Sequence, residues 1–149
     1  MLKRYIGLPL EPPHPAFKNQ TTAWLPMLSV RIGIAHDIWS PRFLAVVDSG
    51  SPWCIFPTAL GDYLGLQVSS GIESELRGII RTDSEPIYFH KIKIQIEANW
   101  NISVMAGFTR KLSADGILGR SGFFDNFLLR FDHSKDPPQL EIDKIERPQ

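Results

Sequence analysis

The stretch Phe43-Leu44-Ala45-Val46-Val47-Asp48-Ser49-Gly50-Ser51 joins five apolar residues to an acid, a hydroxyl, a glycine and a second hydroxyl. The apolar run, with its two β-branched valines, suits a buried strand. An Asp at the end of such a strand loses hydration, which costs free energy unless hydrogen bonds replace it. Gly50 permits a tight turn with backbone N–H groups near the carboxylate, and Ser49 and Ser51 can donate as well. The local sequence is thus arranged to position one carboxylate, that of Asp48.

Outward from this stretch the pattern is that of a mostly β protein. Sixteen Ile against eight Ala favour pleated, half-buried surfaces, and twelve Pro with eleven Gly keep interrupting helices. Met27–Ile34 and Arg42–Val47 read as two strands joined by a loop over 35–41. Pro57–Leu66 reads as a short helix, with Pro57 in its first turn and Gly65 near its end. Residues 71–86 are polar and turn-rich, suggesting a loop or hairpin. In His90–Glu97, Ile92, Ile94 and Ile96 alternate with Lys91, Lys93, Gln95 and Glu97, which predicts one face inward and one in water. Ile102–Ala106 is expected beside it, after a connection at Asn99-Trp100-Asn101. Phe127–Phe131 and Leu140–Ile142 form a last pair around a Pro-containing loop. Residues 1–22 hold four of the twelve prolines and read as a Pro-rich arm, with regular structure beginning near Trp24 in a domain spanning 23–149.

The 149 residues suit one compact domain burying about 70% of its unfolded surface. With 43% apolar and 21% charged residues, a disordered chain is excluded. Sixteen basic and sixteen acidic residues cancel, which argues against nucleic acid or an anionic membrane as main partner. No apolar run approaches the roughly 20 residues that span a bilayer, and Glu11 with the following prolines cuts short any signal-peptide core. The lone Cys54 excludes an internal disulfide and makes a reducing cytoplasm the expected compartment. Its surroundings, Trp53-Cys54-Ile55-Phe56, suit a buried apolar role rather than a nucleophile. The four histidines, His14, His36, His90 and His133, lack metal-ligand spacing, and no cofactor is expected. His90 falls on the solvent side of its strand.

A second element gives Asp48 its meaning. Ala114-Asp115-Gly116-Ile117-Leu118-Gly119-Arg120 follows 71 residues after Asp48, counted to Gly119. Together the two segments resemble the aspartic protease family, whose signature is two apolar residues, Asp, Thr or Ser, Gly, and Ala or Ser. The Ile-Leu-Gly segment is similar to the family's apolar–apolar–Gly strand, which passes beneath the catalytic loop. The order between them also matches: short helix, flap-like hairpin, amphipathic strand. Such an enzyme needs two catalytic loops, and this chain has one, because Asp115-Gly116 lacks the intervening hydroxyl residue. The resemblance is therefore to a retropepsin-like single lobe, an all-β acid-protease barrel with one or two short helices.

The resemblance implies a homodimeric aspartic endopeptidase that hydrolyses an extended polypeptide with a water activated between two Asp48 carboxylates. It implies catalytic roles for Asp48, Ser49 and Gly50, with Ser49 bonding across the dimer axis and the Ser51 hydroxyl steadying the Asp48 carboxylate. Substrate contacts fall to Ser51, to Gly78, Ile79 and Ile80 of the flap, and to Ile117. In viral members the Arg after Ile-Leu-Gly pairs with an acid four positions beyond the catalytic Asp; here that position is Pro52, so Arg120 needs another partner. The competing classes are a catalytically silent retropepsin-fold module for peptide binding or dimerisation, and a monomeric barrel with a coincidental Asp-Ser-Gly.

Overall fold

A computed structural model describes residues 1–34, 37–76 and 85–148. The strands are β1 (Leu2–Arg4), β2 (Ile6–Pro9), β3 (Thr22–Leu25), β4 (Met27–Ile34), β5 (Ile38–Trp39), β6 (Phe43–Val47) and β7 (Cys54–Pro57). One helix, α1 (Thr58–Tyr63), follows, then β8 (Ile72–Leu76), β9 (Glu85–Ile96), β10 (Trp100–Thr109), β11 (Ile117–Leu118), β12 (Phe127–Asp132) and β13 (Gln139–Lys144). The fold is all-β, as expected.

The chain forms two compact units, Leu28–Asn126 and Met1–Met27 with Phe127–Gln149. In the first, the strands run β5-β4-β6-β11-β7-β10-β9-β8, and an added pairing of β4 with β9 closes the sheet through β4, β6, β11, β7, β10 and β9. Closure pairs β4 with β9 and leaves the short β5 and β8 as the end strands of the sheet. Alternation fills the inside with Leu28, Val30 and Ile32 of β4, Ile92, Ile94 and Ile96 of β9, and Val104, Ala106 and Phe108 of β10. Each such Ile, Leu or Phe contributes about 1.5–3 kcal/mol relative to exposure. The free thiol Cys54 is buried, and burial pushes it up from the ordinary thiol range.

Helix α1 is short because Pro57, extended at its N-cap, starts it and Gly65, in the left-handed region at φ +79°, stops it. Leu66 N–H returns to Gly61 O at 3.0 Å and Gly65 N–H to Asp62 O at 3.0 Å. β8 and the start of β9 are the two arms of a hairpin, Ile72 opposite Phe89 and Leu76 opposite Glu85. Gly78, Ile79 and Ile80, expected at its tip, lie outside the described residues.

In the second unit β1, β13 and β12 make one antiparallel sheet and β2 and β3 another. Regular structure therefore begins at Leu2, not near Trp24. The expectation failed because β1 owes its extended form to Gln139–Glu141 on β13, a pairing with no local signal. Tyr5 OH and His133 Nε2, both of this unit, are hydrogen-bonded at 3.0 Å. The β12–β13 pair matches its sequence reading, with Leu129 opposite Ile142.

Two further expectations need correction. The β9–β10 connection lies at Glu97–Asn99, a 3-10 turn ending on Asn99 at φ 58°, so Trp100 and Asn101 already belong to β10. His90 is half-buried rather than a free surface residue: its Nε2 lies 2.7 Å from Val68 O, and its ring meets the ring of Phe108 edge-on.

Candidate active site

Strand β6 delivers Asp48 to the end of the barrel because Ala45 and Val47 are buried and hold its register. The partner on one side is β11, parallel to β6, with Ile117 beside Val46 and Leu118 beside Val47. Val46 N–H donates to Gly116 O at 2.9 Å and Asp48 N–H to Leu118 O at 3.0 Å. β11 also pairs antiparallel with β7, Ile117 opposite Ile55. The strand leading into the Asp48 loop and the strand leaving it are thus both stitched to Ile117–Leu118.

Within the loop the half-buried Asp48 carboxylate accepts a hydrogen bond from Gly50 N–H at 2.8 Å. Among the described residues this is its one donor, and the second carboxylate oxygen is left for a ligand or solvent. Ser51 N–H closes the turn onto Asp48 O at 3.2 Å. The Ser51 hydroxyl does not steady the carboxylate: it donates to Trp53 O at 2.8 Å. It braces the way out of the turn instead. Ser49 and Gly50 are exposed.

Gly119 supports the loop from beneath. A Cβ there would fall on the Trp53 carbonyl and lie 2.8 Å from Ser51 O, both backbone atoms that cannot yield cheaply. From this contact Arg120 N–H reaches Ser51 O at 2.9 Å and Ser121 N–H reaches Pro52 O at 2.8 Å. Arg120 finds its replacement partner above: its Nη1 donates to Ser49 O at 2.8 Å. The guanidinium thus ties a backbone carbonyl of the Asp48 loop to the segment after β11.

The structure brings Asp48, Ser49, Gly50 and Ser51 into one loop and sets the half-buried Ile117 on the strand beneath it. The sequence reading missed Trp53, whose carbonyl receives the Ser51 hydroxyl and bounds the Gly119 contact; a backbone acceptor has no sequence signal. Two cavities of about 480 Å³ each lie elsewhere, one lined by Thr58, Asp62, Tyr88 and Arg110, the other by Phe43, Leu60 and Tyr63, and neither is lined by Asp48. Among the described residues no group of three or more His, Cys, Asp or Glu is gathered for a metal ion, and no helix is long and apolar enough to cross a membrane.

The fold is retropepsin-like. Its own wiring makes it so: an Asp-Ser-Gly-Ser loop after β6, an Ile-Leu strand inserted between β6 and β7, and a glycine under the loop. No family model and no curated protein matches the chain. Solved structures do align with it. The EIAV protease complexed with the inhibitor HBY-793 aligns at 18% identity over 64% of this chain and 82% of that one, with a TM-score of 0.45. The retroviral protease-like domain of Ddi1 from Leishmania major aligns at 20% identity over 64% and 73% of the respective chains, with a TM-score of 0.43.

Proposed function

We propose that this lobe is one half of an aspartic endopeptidase that works as a homodimer, with Asp48 of each chain supplying one carboxylate. The observation that carries the reading is the Asp48 loop itself, a half-buried carboxylate held by Gly50 N–H over a glycine that admits no side chain. That support fixes the acid in place while leaving an oxygen free. A lobe carrying one such loop needs a second copy, and a two-fold axis between the loops would set two identical acids side by side.

Two carboxylates a few ångströms apart cannot both ionise cheaply, so they share one proton and titrate as a pair, as aspartic proteases do as a class. The ionised member takes a proton from a water poised between them, and the resulting hydroxide adds to the scissile carbonyl carbon. The protonated member gives its proton to the carbonyl oxygen, forming a neutral tetrahedral gem-diol. The carboxyl that took the water proton then delivers it to the amide nitrogen as the C–N bond breaks, and the other carboxylate recovers the gem-diol proton. The products are a free acid and a free amine, and the dyad returns to one shared proton. In this reading Ser49 and Gly50 form the rest of the catalytic loop, Ser51 and Ile117 sit on the floor, and Gly78, Ile79 and Ile80 cover an extended substrate bound as an added strand. A single reduced cysteine fits work in the cytoplasm.

The test is cleavage of a diverse peptide library by the native chain and by Asp48→Asn. Cleavage by the native chain and none by the variant, with both unfolding alike, is the expected result. No cleavage by either would favour a silent peptide-binding module. Equal cleavage by both would remove Asp48 from the mechanism.

A further inference from the structure

We propose that the outer face of the barrel around Arg31, Arg42 and Gln95 is a docking surface for an acidic, extended polypeptide segment. Gln95 was expected to face water with Lys91 and Lys93, yet it is only 6% exposed. Its Oε1 accepts from Arg31 Nε at 2.6 Å and from Arg42 Nη2 at 3.3 Å. The two guanidinium groups are therefore separated by no more than two hydrogen-bond lengths. Arg31 is held further by the Trp39 ring, 4.6 Å from its guanidinium carbon to the ring centroid, and Arg42 by Ser29 O at 3.3 Å. Among the described residues neither arginine makes an ion pair with a carboxylate. Two cations fixed side by side on one neutral acceptor repel each other, and an anion that bridges them removes that penalty.

The register extends the site along the sheet. Arg31 stands opposite Gln95 and Gly33 opposite Lys93, and Lys93 and Lys91 are both exposed. On β10 the opposing residues are uncharged: Asn101, Ser103 and Met105. Glu97, the next same-face position, belongs to the turn after β9. Cations at alternate positions of a strand recur about every 7 Å, the spacing of side chains on one face of an extended partner. A peptide with acids at every second residue therefore meets successive cations. With zero net charge over the chain, a nucleic acid is poorly attracted as a whole, so the polypeptide is favoured. The surface adjoins Arg42, before β6, whereas Asp48 follows β6, so docking here is separate from cleavage.

The experiment is fluorescence anisotropy on the whole chain with a labelled peptide bearing Glu at alternate positions. Binding is expected to weaken about tenfold or more when Gln replaces each Glu, in Arg31→Gln/Arg42→Gln, and on raising salt. Lys91→Gln/Lys93→Gln, at exposed positions that leave the fold intact, is expected to weaken it severalfold, and Arg31→Lys/Arg42→Lys to retain much of it. The proposal is overturned if the Glu peptide does not bind, if the Gln peptide binds equally well, or if the natively folded charge-loss variants bind unchanged. It is also overturned if inorganic phosphate or a single-stranded oligonucleotide of equal charge displaces the peptide more effectively than unlabelled peptide does.

Discussion

Gly119 and Gly65 are both glycines at tight places, but for different reasons. At Gly119 a methyl group would strike the Trp53 carbonyl, whereas at Gly65 nothing lies within 4 Å and the obstacle is the positive φ of +79°. Gly119→Ala should lower stability by about 1–3 kcal/mol through forced backbone shifts, and Gly65→Ala by about 1 kcal/mol of conformational strain. Urea denaturation measures both losses, and the peptide-cleavage assay of the proposed activity separates them, since only Gly119→Ala should also displace the Asp48 loop. Asp132 offers a pH prediction. Its carboxylate accepts from the Ser134 hydroxyl at 2.6 Å and Ser134 N–H at 2.9 Å, and these two bonds hold it below the ordinary Asp range. A carboxyl that binds its proton less readily when folded stabilises the fold above its unfolded pKa, and that contribution is lost as pH falls through the folded value. Ser134→Ala should move the Asp132 titration upward, toward the ordinary Asp range, in an NMR experiment; an unmoved midpoint would contradict this cause. The Asp48 loop was legible at this scale because Asp48 and Gly119 act through residue type. The Ser51–Trp53 and Arg120–Ser49 bonds were not, since each ends on a backbone carbonyl that every residue carries.

Among the elements, β9 was the clearest in sequence, because three isoleucines at period two have one good solution, inward on a pleated strand. Its solvent side was misread at Gln95, whose burial depends on Arg31 and Arg42, far away in sequence, and at His90, whose ring packs against Phe108. The turn after β9 was placed too late. Asn tolerates left-handed backbone better than most residues, so the turn ends on Asn99 at φ 58° and Trp100 is free to pair with Ile96. Asn99→Gly should be nearly neutral or slightly stabilising, and Asn99→Val should cost about 1–2 kcal/mol. Equal thermal midpoints for the two variants would remove the strain argument. Strands β1 and β2 escaped detection because three or four residues carry too little periodicity, and the partner strand of β1 lies at the other end of the chain.

At the scale of the molecule, the proposed chemistry needs two Asp-Ser-Gly loops and each chain carries one. The closed barrel gives that loop a rigid base, since β6 and β7 are both tied to β11. If two chains share one site, an inactive chain disables an active one by pairing with it. The most direct measurement is the cleavage rate of a fixed amount of native chain as Asp48→Asn chain is mixed in under exchange conditions. The variant alone should cleave nothing, and an equal amount of it should lower the rate to about half by random pairing. A rate that stays constant across the titration, or a variant that cleaves as fast as the native chain, would contradict a site shared between two Asp48 residues.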